Sequence, residues 1–184
     1  MNPVVALIVL AAVILVGSAI ATGVEAAVLT VNPIQVHTLT QQRVPGARAL
    51  ERIKARPGRA LALLVVANNL FNISGSMLLG SQADGVFHAG FGGAAGLIAF
   101  NVAFTLMVIL FAEILPKTIG NSFAMPISLV ASRVLLVAER LSLPLLLLLE
   151  KLMPAITAEA ELTTNEREIH LMARLGSQQG QIEA

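Results

Sequence analysis

The chain has 184 residues, 56 % hydrophobic and 12 % charged, with a net charge of +1 and no Cys, Trp or Tyr. Its long uninterrupted apolar runs place it among membrane proteins rather than soluble domains of similar length. The absence of Cys excludes disulfides and thiolate metal sites, and the near-neutral balance gives no case for a nucleic-acid partner.

The first transmembrane helix is predicted over residues 3–31. A cleaved signal peptide does not fit, because Met1-Asn2 carries no positive charge and the apolar run continues past Gly23. Asn32-Pro33 opens a connector, residues 32–59, in which Arg43, Arg48, Arg52, Lys54, Arg56 and Arg59 face Glu51 alone. Around Val44-Pro45-Gly46 it is expected to break into two short basic helices at the lipid headgroups. A second span (60–80) and a third (94–116) follow, separated by a Gly-rich loop from Ser81 to Gly93 that holds Asp84 and no Lys or Arg. Lys and Arg collect in cytoplasmic loops, so the connector and C-terminus are expected inside and the N-terminus outside.

Residues 122–153 are long enough to cross once more, but Arg133, Glu139 and Arg140 fall within them and Pro126 and Pro144 interrupt them. A belt of interfacial helices avoids burying those charges in hydrocarbon. From Pro154 the chain turns polar and acidic, with one helix expected between Thr164 and Gly176. It reads as a cytosolic linker (154–184) towards a soluble domain. The expected fold is therefore all-α: three transmembrane helices, basic juxtamembrane helices and an interfacial belt helix pair.

Each span gives up apolar residues for oxygen donors. Ser18, Thr22 and Glu25 share a face of the first span at i, i+4, i+7. Asn69, Asn72 and Ser76 do so on the second at i, i+3, i+7, with Asn68 beside Asn72. Thr22 and Asn69 are both roughly 14 Å from the connector edge at about 1.5 Å per residue. Glu113, at the end of the third run, reaches the same slab. A carboxylate at that depth usually faces a cavity or a bundle interior. Hydroxyl, amide and carboxylate oxygens without His or sulfur suit a hard cation such as Mg²⁺, Na⁺ or Ca²⁺. Gly23 would let the first helix loosen and offer carbonyls, and Pro116 frees a carbonyl near Ala112. Other readings stand beside these. Asn68 and Ser76 suit helix–helix bonding, Thr22 suits an i−4 backbone bond, and Glu25 suits an ion pair with Lys117 or Arg59. His37, His88 and His170 are isolated from one another, and no nucleophile–base pair for an enzyme is visible.

Three motifs resemble the CorC/cyclin M (CNNM) transmembrane domain, also called DUF21: Thr22-Gly23-Val24-Glu25-Ala26-Ala27, Val66-Ala67-Asn68-Asn69-Leu70-Phe71-Asn72-Ile73 and Ala112-Glu113-Ile114-Leu115-Pro116-Lys117-Thr118. The first motif is usually Ser-Gly-Ser-Glu-Thr-Ala and the third usually begins Gly-Glu. Here Thr22 keeps the hydroxyl of the Ser it replaces, Val24 and Ala26 lose theirs, and Ala112 stands for Gly. The resemblance implies a homodimeric Mg²⁺ transporter of the inner (plasma) membrane that exports Mg²⁺ in exchange for Na⁺. It also implies an ATP-binding CBS-pair module, absent from this sequence. The ligands it implies are Thr22, an Asn of the Asn68/Asn69/Asn72 set and Glu113, with backbone oxygens near Gly23. Together with the helical spacing, the expected metal site is Thr22, Asn69, Asn72 and Glu113, with Gly23, Glu25, Asn68, Ser76 and Lys117 secondary along the pathway. The alternative is a dimeric membrane anchor for a nucleotide-sensing cytosolic domain.

Overall fold

The computed structural model describes residues 2–88 and 92–152, so the helix expected between Thr164 and Gly176 lies outside the described residues. α1 (Pro3–Thr30) is one continuous helix, started by Pro3 and by Asn2, whose side chain accepts a bond from the Val4 amide. Asn32 repeats the device for α2 (Pro33–Gln41), since a capping oxygen satisfies an amide that has no intrahelical partner. α3 (Ala47–Ala55) then lies beside α2. The second span is α4 (Pro57–Asn69), a π-helical turn π1 (Leu70–Ser74) and α5 (Gly75–His88). The third is α6 (Gly93–Met107), a π-helical segment π2 (Val108–Ile114) and α7 (Leu115–Ser122). The segment expected as a belt forms two helices, α8 (Ala124–Leu141) and α9 (Leu143–Leu152).

Among the described residues three helices are long and apolar enough to cross a membrane: Pro3–Thr30, Pro57–His88 and Gly93–Ser122. The second runs past its expected end, and helix replaces most of the expected Gly-rich loop. Leu79, Ala83 and Val86 explain this. They recur at helical spacing and are buried, and Leu79 and Ala83 pack with Leu7, Ile14 and Phe104. That apolar stripe outweighs the helix cost of Gly80 and Gly85, about 1 kcal/mol each. The third span also continues past Pro116, its expected end. π2 ends at Ile114, two residues before the proline, and a π turn takes one more residue than an α turn. The wider turn accommodates a ring that would otherwise clash with the carbonyl four residues earlier.

α1 is the central helix. Ser18 meets Asn68, and a side chain on Gly17 would strike Phe71 whereas one on Gly75 would strike Ile14, so the second span is antiparallel to α1. Gly23 lies against Pro116 and Thr30 bonds Asn121 at 2.8 Å, so the third span runs parallel to α1. Phe87, Phe100 and Phe104 close the end of the bundle remote from the connector. At the other end Val28, Ile53, Ala60, Leu64 and Leu135 form a second core, joined by Val31, Val36 and Leu50. Burying Leu50 or Ile53 contributes about 1.5–3 kcal/mol each, which ties the connector helices to the bundle.

The Val44-Pro45-Gly46 break falls between α2 and α3 as expected. Pro126 and Pro144 sit in the first turns of α8 and α9, where a missing amide costs little. α8 packs against α1, α3 and α4. It buries Ser128, Ser132 and Leu135 and turns Val130, Val134, Val137 and Leu141 outward.

Candidate cation site

The polar groups of the first two spans meet at Asn68. Its Oδ1 accepts from the Ser18 hydroxyl at 2.7 Å, the Thr22 hydroxyl at 3.3 Å and the Asn72 amide at 3.1 Å. Ser18 and Thr22 are fully buried. Among the described residues, Asn72 Oδ1 is buried and has no hydrogen-bond partner. A buried carbonyl oxygen without a donor is costly in an apolar setting, and it suits a cation or water. The hydroxyls of Ser18 and Thr22 also keep free lone pairs, so they can turn from donating to Asn68 to accepting from a cation.

Asn69 and Ser76 do not join this cluster. Asn69 is exposed and its Nδ2 donates to Val65 O at 2.9 Å, and Ser76 is exposed as well. The face expected from α-helical spacing, Asn69/Asn72/Ser76, is interrupted by π1. Asn68 and Asn72, neighbours at i, i+4, are the pair that meets the cluster, and Asn69 and Ser76 stay outside. Thr22 bonds across to the second span rather than to its own backbone.

Glu113 lies within π2 and is half-buried. Its neighbour Ala112 is fully buried, and π2 packs against α1. Pro116 stands beside Gly23, so Glu113, three residues earlier on a parallel helix, is about one turn (~5 Å) above that level, at a depth between Thr22 and Ser18; among the described residues no hydrogen bond or ion pair joins it to the cluster. Both π segments carry a residue of the candidate site, Asn72 in π1 and Glu113 in π2. Such turns disturb the regular backbone ladder and are frequent at functional sites.

Gly23 acts differently from the expectation. α1 has no break there. Instead, a Cβ on Gly120 would overlap Gly23 O, and Gly23 itself leaves Pro116 O room. The glycines thus bring α7 onto α1 below the polar cluster. Further towards the connector, Glu25, Lys117, Thr30 and Asn121 line a cavity of about 290 Å³. Neither ion pair considered for Glu25 forms among the described residues; Arg59 stands 4.0 Å from Glu139. No group of three or more His, Cys, Asp or Glu side chains gathers among the described residues, so a cation here would meet mostly neutral oxygens.

Comparison with known proteins agrees with this architecture. A family model described as the cyclin M transmembrane N-terminal domain matches residues 9–184. The chain belongs to the cyclin M transmembrane-domain family. It is 35 % identical over 172 residues to a UPF0053 protein of Synechocystis, covering 93 % of this chain and 48 % of that one. It is 30 % identical over 132 residues to the UPF0053 inner membrane protein YfjD of Escherichia coli, covering 72 % of this chain and 30 % of that one. A Haemophilus influenzae UPF0053 protein is 30 % identical over 150 residues, 80 % of this chain and 34 % of its own. The chain thus spans half or less of the length of these curated relatives.

Proposed function

We propose that this cyclin M domain carries Mg²⁺ across the inner membrane as a homodimer, exporting it in exchange for Na⁺, with the connector on the cytoplasmic side. The observation that carries this reading is the unpartnered Asn72 Oδ1, set in the Ser18/Thr22/Asn68 cluster with Glu113 at nearly the same depth. Oxygen-only donors with a single carboxylate match a hard cation that must be held loosely enough to leave. The ligand set favoured by this geometry is Thr22, Asn68, Asn72 and Glu113, with Ser18 supporting them. The cavity lined by Glu25 and Lys117 would be the path towards the connector side.

A second reading, a dimeric anchor for a nucleotide-sensing cytosolic module, draws on the relatives being at least twice as long as the matched region. Mg²⁺ flux separates the two. Proteoliposomes of this chain, loaded with a Mg²⁺ indicator, should show Mg²⁺ movement that a Na⁺ gradient drives. Flux no greater than in empty liposomes, with or without Na⁺, would favour the anchor.

A further inference from the structure

At the turn between α2 and α3 lies a cavity of about 440 Å³, well away from the cation site and independent of any transport reading. Arg43, Arg48 and Arg52 line it from the connector and Arg133 lines it from α8. Among the described residues none of these four guanidiniums pairs with a carboxylate, and Glu51, the connector's acid, is engaged by His37 at 2.8 Å. The wall is firmly built. Gly46, at φ +90, admits the α8 backbone where a side chain would overlap Leu129 O. The fully buried Ser132 hydroxyl then bonds Gly46 O at 3.1 Å. Arg43 itself sits at φ +59, a left-handed conformation that glycine adopts with less strain. It closes α2 there, its amide bonding Thr40 O and the Val44 amide bonding Leu39 O, which fixes where the Arg43 side chain starts.

What lies on the other side of α8 identifies the ligand class. At about 100° per residue, Val130, Val134, Val137 and Leu141 make one exposed ridge along α8. Arg133 and Leu136 fall on the flank facing the arginine cavity. Ile127, Ala131 and Leu135 fall on the opposite flank, where an apolar groove of about 560 Å³ opens against Ile20, Val24 and Leu64 of the spans. From the connector towards the membrane interior the order is guanidiniums, apolar ridge, apolar groove. That is the order of phosphate, glycerol and acyl chain in a phospholipid. A soluble anion would use only the first of these, and a neutral lipid only the last two.

We propose that this surface is a binding site for an anionic phospholipid of the adjoining leaflet. Its phosphate sits among Arg43, Arg48, Arg52 and Arg133, and one acyl chain passes over Val130 and Val134 into the groove. Guanidiniums suit the phosphate because their planar donor pairs match its oxygens, and basic pockets beside transmembrane helices are recurrent sites for anionic headgroups.

Native mass spectrometry of the full chain in mild detergent tests this, with phosphatidylglycerol and phosphatidylcholine of matched chains added in turn. Phosphatidylglycerol should stay bound at least about tenfold more tightly than phosphatidylcholine. R48Q/R133Q should lose that advantage, whereas R56Q/K151Q, with the same loss of charge outside the cavity, should keep it. R43G should weaken phosphatidylglycerol binding while leaving the melting temperature equal or higher, which separates lost binding from lost folding. Equal retention of the two lipids, or equal loss in both double variants, would overturn the proposal. So would full displacement by soluble glycerol phosphate, which would assign the cavity to a free anion. Phosphatidylglycerol excluded in proportion to dimer mass would assign the groove to a second copy and overturn it as well.

Discussion

Replacing Asn68 by Ala tests the polar cluster at its centre. The substitution removes an Oδ1 that accepts from Ser18 at 2.7 Å, Asn72 at 3.1 Å and Thr22 at 3.3 Å. In membranes such bonds average about 0.6 kcal/mol, and in water-soluble proteins about 1 kcal/mol. Loss of all three should therefore cost about 2–3 kcal/mol, with Ser18 the largest share because its bond is shortest and it is fully buried. Asn69→Ala should cost less than about 1 kcal/mol, since it gives up one exposed bond to its own helix. Reversible unfolding in mixed micelles gives both values, and the cycle Ser18→Ala with Asn68→Ala isolates the shortest bond. Run with and without Mg²⁺, the same assay reads the site: Mg²⁺ should stabilise the wild type and Asn69→Ala but not Asn68→Ala. Equal losses for Asn68→Ala and Asn69→Ala, with equal response to Mg²⁺, would refute the assignment.

Three other outcomes follow from particular contacts. Gly120→Ala should destabilise the bundle by about 1–3 kcal/mol in the same unfolding assay, because the new Cβ overlaps Gly23 O, a backbone atom in the middle of α1; a neutral result would mean that α7 does not pack on α1 this closely. Ser128→Ala should be neutral or stabilising by up to about 1 kcal/mol, since its buried hydroxyl has no partner among the described residues; a clear loss of melting temperature would reveal a bond to that hydroxyl. Burial lowers the pKa of the half-buried Lys54 from 10.5, so the unfolded chain binds its proton more readily. The stability of wild type relative to Lys54→Gln should then rise with pH from the lowered value up to 10.5 and level off above it, by a small amount because water screens the group. A relative stability that falls over that range in thermal melts would contradict the sign.

Much of the fold was legible because its causes are local. The apolar run from Pro3, the Asn-Pro pair at Asn32-Pro33 and the arginines of the connector fix the first span and the short basic helices by length, capping and charge. The extent of the other spans was not. Gly80, Gly85 and Pro116 read locally as interruptions, and only packing of Leu79 and Ala83 on α1, with a π turn before the proline, carries the helices through. The polar cluster was legible in its residue types but not in its membership. Helical spacing puts both Asn68 (i, i+4) and Asn69 (i, i+3) beside Asn72, and only the packing of the second span on α1 selects Asn68. The adjoining signal was Gly75, which brings the second span onto Ile14 just beyond π1. Ser18 shared a face with Thr22 in the sequence, yet its part in the cluster became evident only once Asn68 was placed opposite.

The most direct test of the cation site is Mg²⁺ titration by calorimetry of the wild type and Glu113→Gln, with particle mass followed in parallel. Gln keeps the size and one carbonyl oxygen but removes the charge that offsets a divalent ion. Mg²⁺ affinity should fall on the order of tenfold or more while the mass of the particle stays the same. Unchanged affinity in Glu113→Gln would contradict the site.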